Sequence, residues 1–329
     1  MGNILVLGNG FDLYHGLKTR YYDFVQFVKN PPGDTEDRIK QICRKNAFLR
    51  YFIKVCEMND NWIDCEEEIE KVILVLQKII SNSEIIIHET VDLRDVTISN
   101  MELVIMQQLK KYGTASSGNG FRFNGKYVKN NILNKKEVLN DFRKELDEVI
   151  EVLSYYLKNE LLQKGEIHKF NQINRIDIAG VINFNYTPTY SVVYCDEIPV
   201  FYQHGKLDDN KSIVLGIPDN DEISLDFVYF KKYFQRIQKR SGILNKEIQE
   251  NHKVLNGPII SYFLGMSMGK TDEDLIKQIM DMSTKSVVFY YDQDDYEGKV
   301  VNLIDILGRQ ELEARLNQDG IEFIKLSGE

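Results

Sequence analysis

Residues 3–12 read Asn3-Ile4-Leu5-Val6-Leu7-Gly8-Asn9-Gly10-Phe11-Asp12, and this stretch decides the fold. Its consecutive apolar residues predict a buried strand of a parallel sheet, because a strand covered on both faces needs no polar alternation. Gly8 and Gly10 can adopt positive φ and let a ligand approach the backbone. A helix predicted from about Leu17 would then present free N–H groups to an anion. The stretch suits a nucleotide phosphate, and an ordinary βα turn is the alternative interpretation.

Length and composition are those of a globular chain. The 329 residues predict about two domains at roughly 150 residues each. With 43% hydrophobic and 28% charged residues the chain can bury a large core, and no apolar run reaches the roughly 18 residues of a membrane span. The net charge of -9 argues against tight non-specific binding of nucleic acid. No basic segment precedes the first apolar run, so we expect a cytoplasmic protein without a membrane partner.

The cysteines do not predict a metal site. Cys43, Cys56, Cys65 and Cys195 form no C-x-x-C pair, and no histidine stands at metal-ligand spacing from them. We therefore expect reduced, mostly buried thiols and no bound metal.

A long stretch after the first turn is predicted to be helical. From about residue 17 to residue 170 there is no strand alternation, and apolar residues recur at helical spacing among many charges. Asp64 followed by Glu67 has the capping-box spacing of a helix start, and a second helix is predicted from Val138 to about Leu162. The polar, glycine-rich stretch 114–120 predicts a loop.

Strand patterns return near residue 176. Apolar runs that predict strands occupy residues 178–184, 198–202, 213–215, 259–264, 287–291 and 321–324. Since helical stretches separate several of them, they indicate an α/β fold with a mainly parallel sheet. Residues 1–35 and 171–329 are predicted to form this core, and residues 36–170 a helical insertion.

Polar or glycine-bearing segments follow four of the predicted strands, at 8–12, 183–187, 204–205 and 265–272. Ligands of open parallel sheets bind at the carboxyl ends of the strands. We therefore expect these segments to share one pocket, lined by Gly8, Asp12, Asn185, His204 and Ser267. Side chains at such strand ends should not fill core volume, so truncation of His204 or Asn185 is expected to cost little stability.

The segment after residue 264 resembles two catalytic motifs that its context does not support. Ser267 stands in a G-x-S-x-G nucleophile elbow, but that fold needs a histidine after the serine and the last histidine here is His252. Gly269-Lys270-Thr271 matches the end of a P-loop, but Leu264 occupies the place of its first glycine. An esterase and a P-loop nucleotidase are therefore disfavoured.

One predicted helix separates apolar from basic residues. Its apolar residues are Phe230, Tyr233, Phe234 and Ile237, and its basic residues are Lys231, Lys232, Arg236, Lys239 and Arg240. A solvated basic face is the simpler interpretation. The alternative is a patch for phosphate or nucleic acid, which would favour a nuclease or an RNA-targeting effector.

Several of these segments together resemble the bacteriophage abortive infection AbiH family. The shared motifs are Leu7 to Leu13, His15-Gly16-Leu17, Tyr22-Asp23-Phe24, Trp62 to Glu66, Asn183 to Thr187, His204-Gly205 and Gly265 to Asp272. They lie toward both ends of the chain, and residues 70–175 match the family only in being helical. The resemblance implies an antiphage effector that responds to an unidentified phage trigger.

More distantly, the same segments resemble the sirtuin-type NAD-binding fold. That resemblance implies a Rossmann-like core and lays Asn185 on the sirtuin asparagine, His204 on the catalytic histidine and Ser267 on the turn that holds the adenosine ribose. The chain departs from the sirtuin pattern at Asn183 and Thr187, which replace threonine and aspartate. It also lacks the four-cysteine zinc module, so protein deacylation is not implied.

The residue types at these strand ends suit cleavage of a glycosidic bond of NAD better than hydride transfer. Nicotinamide leaves as a neutral molecule, so positioning, stabilisation of an oxocarbenium ion and one base for water suffice. We predict His204 and Asn185 as the catalytic residues, with NAD as substrate and no resident cofactor. The residues predicted to bind the nucleotide are Gly8, Asn9, Gly10, Phe11, Asp12, Asn183, Thr187, Gly265, Ser267 and Asp272. A non-enzymatic nucleotide sensor and a homo-oligomer stay open.

Overall fold

A computed structural model of the protein describes residues 2–59, 63–82, 86–87, 90–92, 98–116, 120–163, 173–219, 221–242 and 258–326. Trp62 of the shared motifs and His252 lie outside these residues. The chain divides into two compact units. One comprises Met1–Arg20, Leu157–Val214 and Arg236–Glu329, and the other comprises Tyr21–Tyr156 and Leu215–Gln235. The domain boundaries at residues 35 and 171 stay a prediction.

The strands, in chain order, are β1 (Gly2–Leu7), β2 (Ile86–Ile87), β3 (Thr90–Asp92), β4 (Gly113–Ser116), β5 (Gly120–Phe123), β6 (Val128–Lys129), β7 (Ile132–Leu133), β8 (Ile178–Asn183), β9 (Val200–Tyr202), β10 (Ile259–Leu264), β11 (Lys285–Tyr290) and β12 (Ile321–Lys325). The α-helices are α1 (Asn9–Tyr14), α2 (Tyr21–Lys29), α3 (Asp37–Lys45), α4 (Ala47–Met58), α5 (Cys65–Ser81), α6 (Asn100–Gln108), α7 (Lys135–Gln163), α8 (Thr189–Val193), α9 (Lys232–Lys239), α10 (Glu273–Met282), α11 (Gln293–Leu307) and α12 (Arg309–Asn317).

The first unit is built on a six-stranded sheet in the order β12-β11-β10-β1-β8-β9, and every neighbouring pair is parallel. Numbered as they join this sheet, the strands run 6-5-4-1-2-3, which is the order of the doubly wound Rossmann fold. From β1 the chain adds β8 and β9 on one side, and then adds β10, β11 and β12 on the other side. The direction in which strands are added therefore reverses between β1 and β10. The predicted α/β class and parallel sheet are confirmed.

Both faces of β1 are buried, as its unbroken apolar run predicts. Ile4 and Val6 pack into a cluster with residues of β10 and α10, while Leu5 and Leu7 pack into a second cluster with Phe11. All four strand side chains are fully buried. Burial of one such side chain stabilises the fold by about 1.5–3 kcal/mol, so β1 anchors the sheet through its two layers of contacts.

Two local predictions in this unit were wrong. The helix expected from Leu17 begins at Asn9, directly after β1, because the turn needs only Gly8 to change direction. The run 213–215 was expected to be a strand, but it is irregular and buried. There the backbone N–H of Val214 donates to the carbonyl of His204 at 2.8 Å, so this apolar run packs as a loop against the β9 end.

The second unit contains α2 to α6, most of α7 and the short strands β2 to β7. Asp64 caps α5 by accepting from the backbone N–H groups of Glu66 and Glu67, and α7 covers the predicted second helix. Residues 114–116 lie in β4 and not in a loop, within an antiparallel sheet ordered β2-β3-β5-β4. Gly113 permits this pairing, since a Cβ there would lie 2.1 Å from the Arg122 carbonyl oxygen. The rest of that predicted loop, 117–119, lies outside the described residues.

In the parts of the chain that the structure describes, no helix combines the length and the apolar character needed to cross a membrane.

Candidate functional site

The four predicted strand ends meet at the carboxyl edge of the parallel sheet. The β1 and β10 ends are joined where Gly10 N donates to the carbonyl oxygen of Gly265 at 2.9 Å. The β8 end joins β1 through Asn185, whose Nδ2 donates to the carbonyl oxygen of Gly8 at 3.0 Å. The structure therefore brings together backbone segments that the sequence separates by most of its length.

Two further hydrogen bonds join the β9 end to the β8 end and to the segment after β10. Gln203 N donates to the carbonyl oxygen of Asn183 at 2.9 Å. His204 Nε2 lies 2.9 Å from Asp272 Oδ1, across 68 positions of sequence. The edge is thus one hydrogen-bonded set of turns, and it includes the point where the strand order reverses.

The glycines of the first turn serve close packing of two backbones. Gly8 has φ -115, and the positive φ lies instead at Gly265, at +68. An added Cβ would lie 2.6 Å from the Gly265 carbonyl oxygen at Gly8, and 2.2 Å from Phe11 N at Gly265. The expectation that Gly8 and Gly10 take positive φ was therefore wrong, because the two turns press against each other at this edge.

Replacing Gly265 with Ala should reduce the free energy of unfolding by about 2–4 kcal/mol, from an unfavourable positive φ and a steric overlap with the α1 backbone. The matched control is Gly298→Ala within α11, where an added Cβ meets nothing within 4 Å. That change should stabilise the helix by about 1 kcal/mol. Urea unfolding of both variants measures the difference. Equal stabilities would show that the packing of the two turns does not matter.

Asp12 is a buried carboxyl group at the first strand end, only 1% exposed. Its Oδ2 accepts a hydrogen bond from Thr187 Oγ1, which in turn accepts from Thr189 Oγ1 at 3.2 Å. Its Oδ1 has no hydrogen-bond partner among the described residues. Burial raises the pKa of Asp12 to about 6, and the threonine hydrogen bond opposes that rise only in part. A buried acid with a perturbed pKa at a strand end is a candidate functional group.

The 183–187 turn is shaped by its own asparagines. Asn183 Nδ2 donates to the carbonyl oxygen of Thr187 at 3.0 Å, and its Oδ1 accepts from Asn185 N at 2.9 Å. Asn183 therefore holds the turn, while Asn185 reaches across to Gly8. Both side chains are buried, with Asn185 8% exposed.

His204 is also buried, at 6% exposure, between aromatic rings. The ring centroids of Phe184 and Tyr186 lie 5.4 Å and 6.2 Å from the imidazole. A carboxylate can only accept, so Asp272 favours the tautomer that carries its proton on Nε2 and leaves the lone pair on Nδ1. The premise that the side chains of His204 and Asn185 do not fill core volume is wrong, because both are buried and make hydrogen bonds. We therefore expect truncation of either to cost more stability than a surface substitution.

The other predicted binding residues differ in exposure. Asn9 is exposed and accepts from Thr19 Oγ1 at 2.5 Å, whereas Phe11 is buried in the core. Ser267 is exposed, and its carbonyl oxygen accepts from Asn302 Nδ2 at 2.8 Å. Between Ser267 and Asp272, the buried Met268 has φ +56, an unusual conformation for this residue type. Strained backbone of this kind collects at functional sites.

A family model described as Bacteriophage abortive infection AbiH matches residues 4–291. The chain belongs to the AbiH family. The match includes all four strand ends of the site, and it extends from β1 to just past β11. No curated protein and no solved structure matches the chain. AbiH membership assigns the chain to abortive infection of bacteriophage. The more distant resemblance to sirtuins stays a prediction.

Sequence reasoning missed the role of His15 in this AbiH chain. Its Nδ1 lies 2.7 Å from the carbonyl oxygen of Phe11, and its Nε2 lies 2.8 Å from the hydroxyl of Tyr194. Burial lowers the pKa of His15, so the neutral ring donates to the carbonyl and accepts from the hydroxyl. His15 therefore fastens α1 to the segment after β8. The signal in the sequence was the spacing of four residues between Phe11 and His15, which places the His15 ring near the Phe11 carbonyl oxygen in a helix.

Three of the five basic residues around α9 are buried, contrary to the predicted solvated face, whereas Arg240 is exposed. Lys231, Lys232 and Arg236 are 2–6% exposed, whereas the apolar Ile237 is 68% exposed. Lys232 pairs with Glu66 at 2.7 Å, and Lys231 pairs with Asp219 at 2.9 Å. The basic side chains turn inward because carboxylates from other parts of the chain neutralise them.

Proposed function

We propose that this AbiH chain stops phage growth by cleaving the N-glycosidic bond of NAD or a related nucleotide, with release of nicotinamide. One observation carries the proposal. At the carboxyl edge where the strand order reverses, a His204–Asp272 pair and the buried Asp12 carboxyl are held on one hydrogen-bonded set of turns. Doubly wound sheets bind nucleotides at this position.

The proposed reaction is a hydrolysis at the anomeric carbon of the ribose. The bond between that carbon and the nicotinamide nitrogen breaks, and nicotinamide keeps the electron pair and leaves neutral. Water then adds to the oxocarbenium ion, and His204 accepts the proton of that water through Nδ1 while Asp272 holds Nε2–H. The products are nicotinamide, ADP-ribose and one proton. Asn185 would orient the water or a ribose hydroxyl.

Asp12 is the group we assign to stabilising the positive charge that develops on the ribose. With a pKa of about 6 it is mostly ionised at neutral pH. Its Oδ1 makes no hydrogen bond to the described residues by distance and angle, although Thr187, Thr189 and Asn185 lie close enough to lower the pKa of the carboxyl. A fixed carboxylate beside the reacting carbon lowers the barrier most effectively where water is excluded.

The nuclease alternative loses most of the feature that supported it. A nucleic-acid patch needs exposed cations, but Lys231, Lys232 and Arg236, three of the five basic residues around α9, are buried in ion pairs. Binding without catalysis remains the second candidate, since a sensor would use the same sheet edge.

The test is incubation of the purified chain with NAD, NADP, ATP and nicotinamide riboside, each followed by chromatography of the products. We expect equal amounts of nicotinamide and ADP-ribose from NAD. In parallel, NAD is measured in cells with and without phage, because activity that requires a phage trigger would appear only during infection. NAD that stays constant in both assays, while the cells remain protected, would refute the proposed reaction.

A further inference from the structure

Arg236 is a buried guanidinium group beside the His204–Asp272 pair. The residue is 6% exposed, and its Nη1 donates to Asp274 Oδ2 at 2.6 Å. Its Nε and Nη2 have no hydrogen-bond partner among the described residues. Leaving buried donors unsatisfied lowers the free energy of unfolding, so folded proteins seldom keep such groups without a use for them.

The two unsatisfied nitrogens, Nε and Nη2, form the edge with which arginine makes bidentate hydrogen bonds to a carboxylate. Elsewhere in the chain, Arg38 uses the same two nitrogens, with Nε 2.6 Å from Glu151 Oε1 and Nη2 2.8 Å from Glu151 Oε2. The planar fork of Nε and Nη2 matches the two oxygens of an acid. In Arg236 that fork makes no hydrogen bond to any residue that the structure describes.

Among the described residues, the carboxylate of Asp272 lies beside the Arg236 fork. Nη2 lies 3.7 Å from Asp272 Oδ1, the oxygen that also contacts His204 Nε2 at 2.9 Å. Both fork nitrogens are buried from solvent. An anion from solution could reach them only if the structure opened, whereas Asp272 could reach them by a small shift. A displacement of less than about 1 Å would bring this carboxylate within hydrogen-bond distance of Nη2.

One edge of the Arg236 guanidinium is held, while the loop that carries Asp272 is strained. Nη1 donates to Asp274 Oδ2 at 2.6 Å, and Ser241 N donates to the backbone carbonyl oxygen of Arg236 at 3.1 Å. In contrast, the loop before Asp272 holds Met268 at φ +56, an unusual conformation for this residue type. We therefore take the guanidinium as the fixed partner and the Asp272 carboxylate as the group that shifts.

We propose that Arg236 is a positioning residue, whose Nε–Nη2 fork draws in the Asp272 carboxylate and so fixes the orientation and tautomer of His204. The chemistry of this step rests on the proposed function, but the geometry can be tested without it. Among the described residues, Arg236 and Asp274 are charged groups that lie beside the His204–Asp272 pair. Of the neighbouring Tyr186, the hydroxyl donates to the carbonyl oxygen of Val214 at 3.0 Å.

The test compares Arg236→Gln, Arg236→Lys and the control Asp274→Asn in the full chain. Histidine-selective ¹⁵N labelling reports the ring tautomer and titration, since the chain has only five histidines and a His204→Gln sample assigns the signal. Without the guanidinium charge, Asp272 should stabilise the protonated imidazole more strongly. We therefore expect the His204 titration in Arg236→Gln to move to higher pH by about one unit.

Turnover of NAD is the second readout. It should fall by about 10–100-fold in Arg236→Gln, the usual effect of losing a group that orients a functional ligand. Arg236→Lys keeps the charge and loses the fork, so its titration should stay close to that of the wild type while turnover falls about tenfold. Asp274→Asn should leave the His204 titration and the turnover unchanged. It removes only the charge of an exposed carboxylate that pairs with Arg236 Nη1, on the side of the guanidinium away from the Nε–Nη2 fork.

An unchanged His204 tautomer and titration in Arg236→Gln would overturn the proposal. Should that variant fail to fold, unchanged turnover in soluble Arg236→Lys would overturn it equally. A shifted titration in a chain that never cleaves NAD would support the positioning role and refute the proposed reaction. The two failures are therefore distinguishable.

Discussion

A His204→Gln chain should remain folded and lose NAD cleavage by about 10²–10⁴-fold, because it lacks the base that accepts the proton of water. Glutamine is the sharper substitution, since it fills most of the ring volume and can still donate an N–H to Asp272. Alanine would leave a void between Phe184 and Tyr186 and confuse lost catalysis with lost stability.

NAD and soluble protein are measured in parallel, with and without phage, for wild type, His204→Gln and Lys270→Ala. Lys270 precedes Asp272 by two positions and pairs with Asp305 at 3.4 Å in an exposed contact, so its removal should change stability by less than about 0.5 kcal/mol. Continued NAD loss in soluble His204→Gln would remove His204 from the mechanism. Protection by that variant without NAD loss would instead favour the sensor.

Asp12→Asn should have two opposite effects, a gain in stability and a loss of activity. The pKa of Asp12 is about 6 in the folded chain and 3.8 when exposed. Below pH 3.8 Asp12 is protonated in both the folded and the unfolded chain, so its ionisation does not change the free energy of unfolding. As the pH rises from 3.8 to 6, the unfolded state ionises first, so stability falls by about 3 kcal/mol at about 1.4 kcal/mol per unit.

Asparagine removes this penalty, because its amide stays neutral and its oxygen can still accept from Thr187. We expect Asp12→Asn to be more stable than the wild type by up to about 3 kcal/mol at pH 8, with the advantage vanishing near pH 4. NAD cleavage should fall by about 10²–10³-fold at the same time. Such a trade between stability and activity is common where a site keeps a costly group.

Urea unfolding at pH 4 and pH 8 measures the stability change, and Asp221→Asn is the control because Asp221 is exposed. That control should change stability by less than about 0.5 kcal/mol at either pH. Should Asp12→Asn destabilise the chain at pH 8, the buried carboxylate would be a structural partner of Thr187. Full activity in Asp12→Asn would exclude it from charge stabilisation.

Strands β1, β8, β10 and β11 were predictable because each contains an apolar run long enough to be buried. The short strands β2 to β7 were not, since two to four residues cannot display an alternation. The strand ends 8–12 and 183–187 were found through their polar residues. Which glycine carries the positive φ depends on how two distant turns meet, so Gly265 could not be told from Gly8 by sequence.

The roles of the charged residues depended on partners that are remote in sequence. Lys232 can be buried because it forms an ion pair with Glu66. Helical spacing identifies the basic residue, but it does not identify the carboxylate that pairs with it. Asp272 was predicted to contact the nucleotide, but its pairing with His204 spans 68 positions. Whether the predicted residues bind NAD stays a prediction.

The order of the parallel sheet also determines when the protein can become active during its own synthesis. β1 is made first, yet Gly2 pairs with Ile259, and its other neighbour begins at Ile178. At about 5–20 residues per second, the ribosome needs more than ten seconds to supply both partners. Until then this apolar strand has two open edges, and the turns of the site are not joined. A nascent chain of this antiphage protein therefore cannot assemble its site until most of it has been translated, and a fragment ending before residue 259 should aggregate.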